Sequence, residues 1–277
     1  MISDFHVHSS WSSDCETAAE EQVKRALSLG MKHICITDHN DYDAPLFPPD
    51  YFSYLLGNKG DDSTISAYLA DLQQLKERYA GQIEVLAGIE LGMQPHLAER
   101  LTDLSERHPF DFIICSTHSF DGLDGEDQQH YENTTPVQAL TRYFQTELEN
   151  LRAFQCYDTV GHMDFAIRYA PGAAESFSYD QYADILDAIL LHIIRHDKAL
   201  EINTSKYVLK NMTNPNLAII RRYAELGGKL ITFGSDSHVS SRIGEGFCEV
   251  GRMVRDCGIR EYAVYHRHVP ELFPIIT

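Results

Sequence analysis

The stretch Ile2-Ser3-Asp4-Phe5-His6-Val7-His8-Ser9-Ser10 decides how the rest of the chain is read. It has the pattern of a short β-strand, in which side chains two residues apart leave on one face. His6 and His8 would then point together, with Phe5 and Val7 on the opposite face, and could clamp one metal ion. Spacing alone carries little weight. With 14 histidines in 277 residues, random placement gives about 0.7 His-x-His pairs. His266-Arg267-His268 has the same spacing near the C-terminus, between an apparent strand and a Pro-containing tail. The other ligands must come from elsewhere in the chain.

Composition bounds the answer. A chain of 277 residues, 43% hydrophobic and 23% charged, has the length and balance of an ordinary globular α/β protein with a substantial core. Its formal charge of −18 repels nucleic-acid backbone and anionic membranes, so neither is an expected partner. General solubility accounts for most of that charge, and three divalent cations would offset roughly six units of it locally. The six cysteines, Cys15, Cys35, Cys115, Cys156, Cys248 and Cys257, form no C-x-x-C pair and read as reduced thiols. There is no basic segment followed by an apolar one at the N-terminus, and no apolar run approaches about 18 residues, so a soluble, cytoplasmic protein is expected.

Beyond the first strand, Thr17 to Gly30 has helical periodicity and ends on a glycine suited to a C-cap. Lys32 to Thr37 reads as strand two, with Asp38-His39-Asn40 at its exit. Tyr42 to Gly60, rich in Pro, Gly and aromatics, reads as a loop over a site. Helix Ser66–Tyr79 leads to strand Ile83–Ile89, which ends at Glu90. Helix His96–His108 precedes strand Phe110–Ser116, with His118 just beyond. Helix Pro136–Phe154 precedes strand Tyr157–Val160, which runs into Gly161-His162-Met163-Asp164. Helix Tyr179–His196, strand Ala199–Asn203, helix Asn216–Gly227 and strand Lys229–Phe233 follow, ending in Gly234-Ser235-Asp236-Ser237-His238. Strands alternating with helices predict a parallel sheet. Seven units without a clear linker favour one domain over residues 1–277, a closed or nearly closed (β/α)7 barrel.

Placement achieves what spacing does not. His6, His8, His39, Glu90, His118, His162, Asp236 and His238 all fall at or just past predicted strand ends, which in an α/β barrel converge on one face. If its backbone is extended, Asp236-x-His238 repeats the device of the first strand. A carboxylate such as Glu90 can bridge two cations about 3.5–4 Å apart.

These segments, His6-x-His8 with Asp14, Asp38-His39, Gly88-Ile89-Glu90, Ser116-Thr117-His118, Gly161-His162 and Gly234-Ser235-Asp236-Ser237-His238, resemble the ordered motifs of the polymerase and histidinol phosphatase (PHP) superfamily. The resemblance spans nearly the whole chain. It implies a distorted seven-stranded (β/α) barrel with a three-metal cluster. Within the superfamily, Glu201-Ile202-Asn203-Thr204-Ser205 and the overall length are most similar to the monofunctional histidinol-phosphate phosphatases. The resemblance places His6, His8, Glu90 and Asp236 on one metal, bridging Glu90, His118 and His162 on a second, and Asp14, His39 and His238 on a third. Many members carry a histidine where this chain has Asp14, and an oxygen ligand there favours Mn²⁺ or Fe²⁺.

Ligands of this kind, without thiolate, suit Zn²⁺, Mn²⁺ or Fe²⁺, and a water shared by two such ions loses its proton near neutral pH and could attack phosphorus in line. Glu90, Asp236 and His238 would thus serve catalysis through the metals. No G-x-S-x-G elbow, C-x5-R loop or P-loop supports a rival phosphatase mechanism. Arg168, Lys206, Arg242 and Asn203 are candidate substrate contacts; Arg168 could equally be a surface charge, and Lys206-Tyr207 stands where related phosphatases often have Gly-Leu-Arg. Acidic and aromatic residues, Asp41, Tyr42, Asp43, Phe47, Phe120, Asp121 and Asp124, would suit a cationic substrate such as histidinol phosphate. Asp38 and Asp164 are expected to orient ligand histidines or water. The expected activity is metal-dependent hydrolysis of a small phosphomonoester, with histidinol phosphate first. A PHP phosphoesterase acting on phosphotyrosine or a nucleotide, and a non-catalytic metal-binding partner module, remain as alternatives.

Overall fold

The computed structural model of the chain describes residues 2–42, 62–132, 134–207 and 212–276. Its sheet is parallel and runs in the order β1 (His33–Ile36), β3 (Glu84–Gly92), β4 (Phe112–Ser116), β7 (Thr159–Val160), β8 (Ala199–Asn203) and β9 (Ile231–Gly234). The short strand β2 (His39–Asn40) extends β1 and also pairs with β3, setting His39 opposite Glu90.

The edges β1 and β9 are joined by the N-terminal segment. Cys35 N donates to Asp4 O and Thr37 N to Val7 O on one side, while Phe5 N donates to Phe233 O and Asp236 N to His6 O on the other. Between these bonds the segment takes three steps, Asp4 to Val7, where its neighbour takes two, Cys35 to Thr37. One extra residue makes a bulge, so the expected first strand is present as a stave with isolated bridges at Asp4 and Val7 rather than as a regular ladder. The curled sheet thereby becomes the expected seven-stave barrel.

The α-helices among the described residues are α1 (Ala19–Ser28), α2 (Asp62–Arg78), α3 (Ala98–Arg107), the short α4 (Gln129–Glu132), α5 (Pro136–Ala153), the short α6 (Ala173–Ser176), α7 (Ala183–Arg195), α8 (Leu217–Glu225) and α9 (Phe247–Asp256). Their ends follow local chemistry. Thr135 and Gln138 form a capping box at the start of α5, with Pro136 in its first turn. Gly30, at φ +75°, closes α1 as Met31 N returns to Ala26 O, a Schellman end that needs a left-handed residue. Leu140, Tyr143, Phe144 and Leu151 of α5 and Leu186, Ile189, Leu190 and Ile193 of α7 are buried, and the two helices pack on each other.

Two hairpins fall outside the expected alternation. At the ligand end, β5 (Ser119–Phe120) pairs with β6 (Leu123–Asp124). At the opposite end, β10 (Glu261–His266) pairs with β11 (Val269–Pro274) through Arg267 and His268, both at positive φ, as in a two-residue type I′ turn. This turn sits against the beginnings of the barrel strands. His268 Nδ1 lies 2.9 Å from Asp158, just before β7, and His266 Nε2 lies 3.3 Å from Glu84, the first residue of β3. The second His-x-His pair is therefore a plug at the wrong end of the barrel for the ligand cluster.

Candidate metal centre

Apart from Asp14, in the turn after the first stave, the expected ligands arrive from within or just past strands. His6 lies in the bulge of the first stave and His8 just past it, His39 opens β2, and Glu90 lies within β3. His118, His162 and Asp236 each lie two residues beyond the ends of β4, β7 and β9. The β2–β3 register sets His39 directly opposite Glu90, and the other side chains reach the same carboxylate or its neighbours.

They meet on Glu90. Its Oε1 lies 3.1 Å from His118 Nε2 and 3.0 Å from His162 Nε2, and accepts from Ser116 Oγ at 2.6 Å. Its Oε2 lies 3.2 Å from His6 Nε2, 3.5 Å from His8 Nε2 and 2.8 Å from His39 Nδ1. The two oxygens of one carboxylate face different sets of imidazoles, the disposition of a bridging ligand. Asp236 Oδ1 lies 3.3 Å from His8 Nε2 and 3.8 Å from His6 Nε2. Asp14 Oδ2 lies 2.9 Å from His238 Nε2 and 3.5 Å from His39 Nε2. The rings of His39 and His238 each stack on His8 at 4.2 Å.

Five buried atoms in this cluster, His6 Nε2, His8 Nε2, His39 Nδ1, His162 Nδ1 and Glu90 Oε2, make no well-directed hydrogen bond among the described residues despite their close neighbours. Buried polar atoms are seldom left so. Their donor atoms form overlapping groups, His6–His8–Glu90, His6–His162–Asp236, His8–His39–His238 and His39–Glu90–His118, each within 4.8 Å. Imidazole and carboxylate donors converging this closely fit divalent cations.

The electrostatics agree. Burial opposes charge on His6, yet Glu90, Glu201 and Asp236 outweigh it and hold the ring well above the usual histidine range. His39 and His118 are also raised against burial, the first by Glu90 and Asp14, the second by Asp41 and Glu90. His8 goes the other way: burial, then His39 and His238, push it down to about 3. Glu90, although buried, is held well below the usual carboxylate range by His6, His118 and His39. A cation binding here competes with protons for the same nitrogens.

Asp14, His39, His118, His162, Asp236 and His238 of the cluster line a cavity of about 380 Å³ together with Arg168, Lys206 and Arg242. Arg168 is not a surface charge: it is 8% exposed, donates from Nε to Asn214 Oδ1 at 2.8 Å and from Nη2 to Asn203 Oδ1 at 3.2 Å, and places Nη1 3.8 Å from Asp236. Asn203 Nδ2 faces Glu201 at 3.3 Å and Asp236 at 3.4 Å. Burial lowers the Lys206 ammonium. Arg242 pairs with Glu245 at 2.8 Å and bonds the Ser205 carbonyl.

Other expectations are redistributed. Asp236 has φ +53°, so Asp236-x-His238 is not extended; the left-handed residue turns the chain, and His238 Nδ1 returns to the Asp236 carbonyl at 3.1 Å. Asp38 reaches the histidines through Ser12, whose Oγ donates to Asp38 at 2.6 Å and lies 3.3 Å from His8 Nδ1. Asp164 accepts from Asn214 Nδ2 and Asn216 N, supporting Arg168 rather than a histidine. Asp41 and Asp124 line the cavity. Tyr42 instead lies under Arg100, Phe120 stacks on His130, and Asp121 pairs with Arg142. Asp43 and Phe47 lie outside the described residues.

Sequence reasoning missed Glu126, Phe165 and Tyr169 in the cavity wall. It gave Glu201 no role, although its Oε1 lies 2.5 Å from His6 Nδ1 and its Oε2 accepts from His162 N at 2.6 Å. Its place inside the Glu201–Ser205 motif was the available signal.

A PHP domain family profile matches residues 4–205. Among curated proteins, the chain is 29% identical to a protein named "Probable histidinol-phosphatase" of Clostridium acetobutylicum, covering 94% of this chain and 95% of that one. It is 27% identical to the histidinol-phosphatase of Lactococcus lactis, over 95% and 93%. Among solved structures, it superposes with a TM-score of 0.82 and 26% identity, over 98% of both chains, on histidinol phosphate phosphatase from Lactococcus lactis complexed with zinc, L-histidinol and phosphate.

Proposed function

The chain belongs to the PHP domain family, and on that premise we propose that it is a metal-dependent phosphomonoesterase that hydrolyses L-histidinol phosphate to L-histidinol and phosphate. Residues 1–277 act as one phosphatase domain. The observation that carries this reading is the mixed charge of the cavity at the ligand cluster. Arg168, Lys206 and Arg242 line it together with Asp41, Asp124 and Glu126, so cationic and anionic side chains face one small space. That composition suits a molecule with a phosphate and a protonated amine, and the volume lies within the range of small-ligand sites. The named relatives, one of them solved with L-histidinol and phosphate, support the same substrate.

His6, His8, Glu90 and Asp236 would hold one divalent ion, Glu90, His118 and His162 a second, and Asp14, His39 and His238 a third, with zinc, manganese or iron all compatible with these donors. When bound, such ions polarise phosphoryl oxygens and supply a water-derived nucleophile at neutral pH. The chain's own groups do the rest. Arg168 is held by Asn203 and Asn214, so its guanidinium is fixed before a phosphate arrives. Glu201 fixes the His6 ring and the His162 backbone together. Phe165 and Tyr169 give the cavity an apolar wall for an imidazole.

Steady-state assays of metal-reconstituted protein against histidinol phosphate, phosphotyrosine, nucleoside monophosphates and p-nitrophenyl phosphate test this. A kcat/KM for histidinol phosphate at least about 100-fold above the others is expected. Equal or lower values would assign the site to another phosphomonoester, and no hydrolysis of any would favour a binding module.

A further inference from the structure

We infer that Asp41 is the positioning residue for His118, and that position 92 is glycine so that the Asp41 carboxylate can reach this histidine across an intervening strand. The inference rests on the reading of His118 as a metal ligand.

The strand order sets the problem. Asp41 follows β2, His118 lies beyond β4, and β3 runs between them. Neighbouring strands are about 4.8 Å apart, so the side chain has to pass over β3. The register Asn40 opposite Leu91 and Gly92 opposite Ser116 puts Gly92 at the crossing. There Asp41 Oδ1 approaches His118 Nδ1 to 2.8 Å.

A glycine serves either a left-handed backbone or a close approach. Gly92 is not at positive φ, and a Cβ built there would lie 1.7 Å from Asp41 Oδ1. The backbone therefore does not require glycine; the carboxylate does. Gly30 is the opposite case, left-handed with open space around a Cβ.

The consequence falls on the ring. With its Nδ1 hydrogen donated to Asp41, His118 presents Nε2 to Glu90 at 3.1 Å. Carboxylates that hold a ligand histidine in this way fix its tautomer and rotation. The same construction recurs at the first stave: a Cβ on Gly234 would lie 2.3 Å from Glu201 Oε1, the atom that holds His6.

The test is a chelator titration of zinc-loaded wild type, Asp41→Asn, Gly92→Ala, the double variant and His118→Ala, with bound zinc and the visible spectrum of the cobalt-substituted forms as readouts. Asp41→Asn, which loses the carboxylate charge, and Gly92→Ala, which displaces the carboxylate, should each weaken one zinc equivalent about 10- to 100-fold, alter the cobalt spectrum alike, and show less than multiplied loss when combined, because both act on the one Asp41–His118 contact. Wild-type zinc retention in either single variant, or losses that multiply in the double variant, would overturn the inference. Asp41→Asn is nearly isosteric and keeps the test decisive if Gly92→Ala does not fold. Zinc loss in His118→Ala alone would sink this inference and leave the metal site standing. Full retention in His118→Ala would remove both.

Discussion

Glu90 shows how much depends on single side chains here. It is fully buried, and its two oxygens face six polar groups, five of them imidazoles. A carboxylate so placed is tolerable only with compensating charge, because an isolated buried ion is very costly. Glu90→Ala and His8→Ala should therefore lower kcat/KM by about 10³-fold or more, whereas His268→Ala should leave it within about twofold, as measured by phosphate release with saturating metal. Near-normal turnover in Glu90→Ala would remove the bridging role. At this scale the sequence was legible wherever a ligand-type residue stood at a strand exit. It was not legible for Asp41, whose partner depends on a missing side chain on another strand, nor for Arg168, whose burial depends on Asn203 at the end of β8 and on Asn214 bridged to it.

Elements were read well where periodicity was long. The expected β8 has the observed bounds, and α2, α5 and α7 differ only at their ends. The first stave was misread as a regular strand because a bulge leaves no mark in the alternation of residue types. The hairpin partner β11, Val269–Pro274, was missed because Pro270 and Pro274 argue against a strand and are admissible only at an unpaired edge. Helix α5 carries a consequence of its own. Glu147 is buried on it, and burial pushes its carboxyl up to about 8. A carboxyl raised in the folded state stays protonated while the unfolded chain has lost its proton. Stability from this group is thus fully present below the unfolded value near 4.5 and is lost as pH rises toward 8. Glu147→Gln should unfold in urea like wild type near pH 5 and be more stable by on the order of a few kcal/mol near pH 8. Parallel stabilities at both pH values would contradict the assignment.

At the scale of the whole molecule, the barrel turns scattered residues into one site. His6 and His238 are more than two hundred positions apart in the chain, yet both contact the same small cluster through the closure of β1 and β9 by the N-terminal segment. That closure was legible as a count of strand–helix units, because parallel strands need helical crossovers and seven short exits leave few other ways to bury the sheet. No helix among the described residues is long and apolar enough to cross a membrane. The His-x-His pair at the N-terminus and its twin at the C-terminus end up at opposite ends of the barrel, which is why spacing alone could not tell them apart. The most direct test is phosphate release from histidinol phosphate by metal-stripped protein as zinc or manganese is titrated back, in wild type and Glu90→Ala. Activity should be absent from the stripped protein, return with metal in wild type, and stay at least about 10³-fold lower in Glu90→Ala. Turnover by the stripped protein, or full recovery in Glu90→Ala, would contradict it.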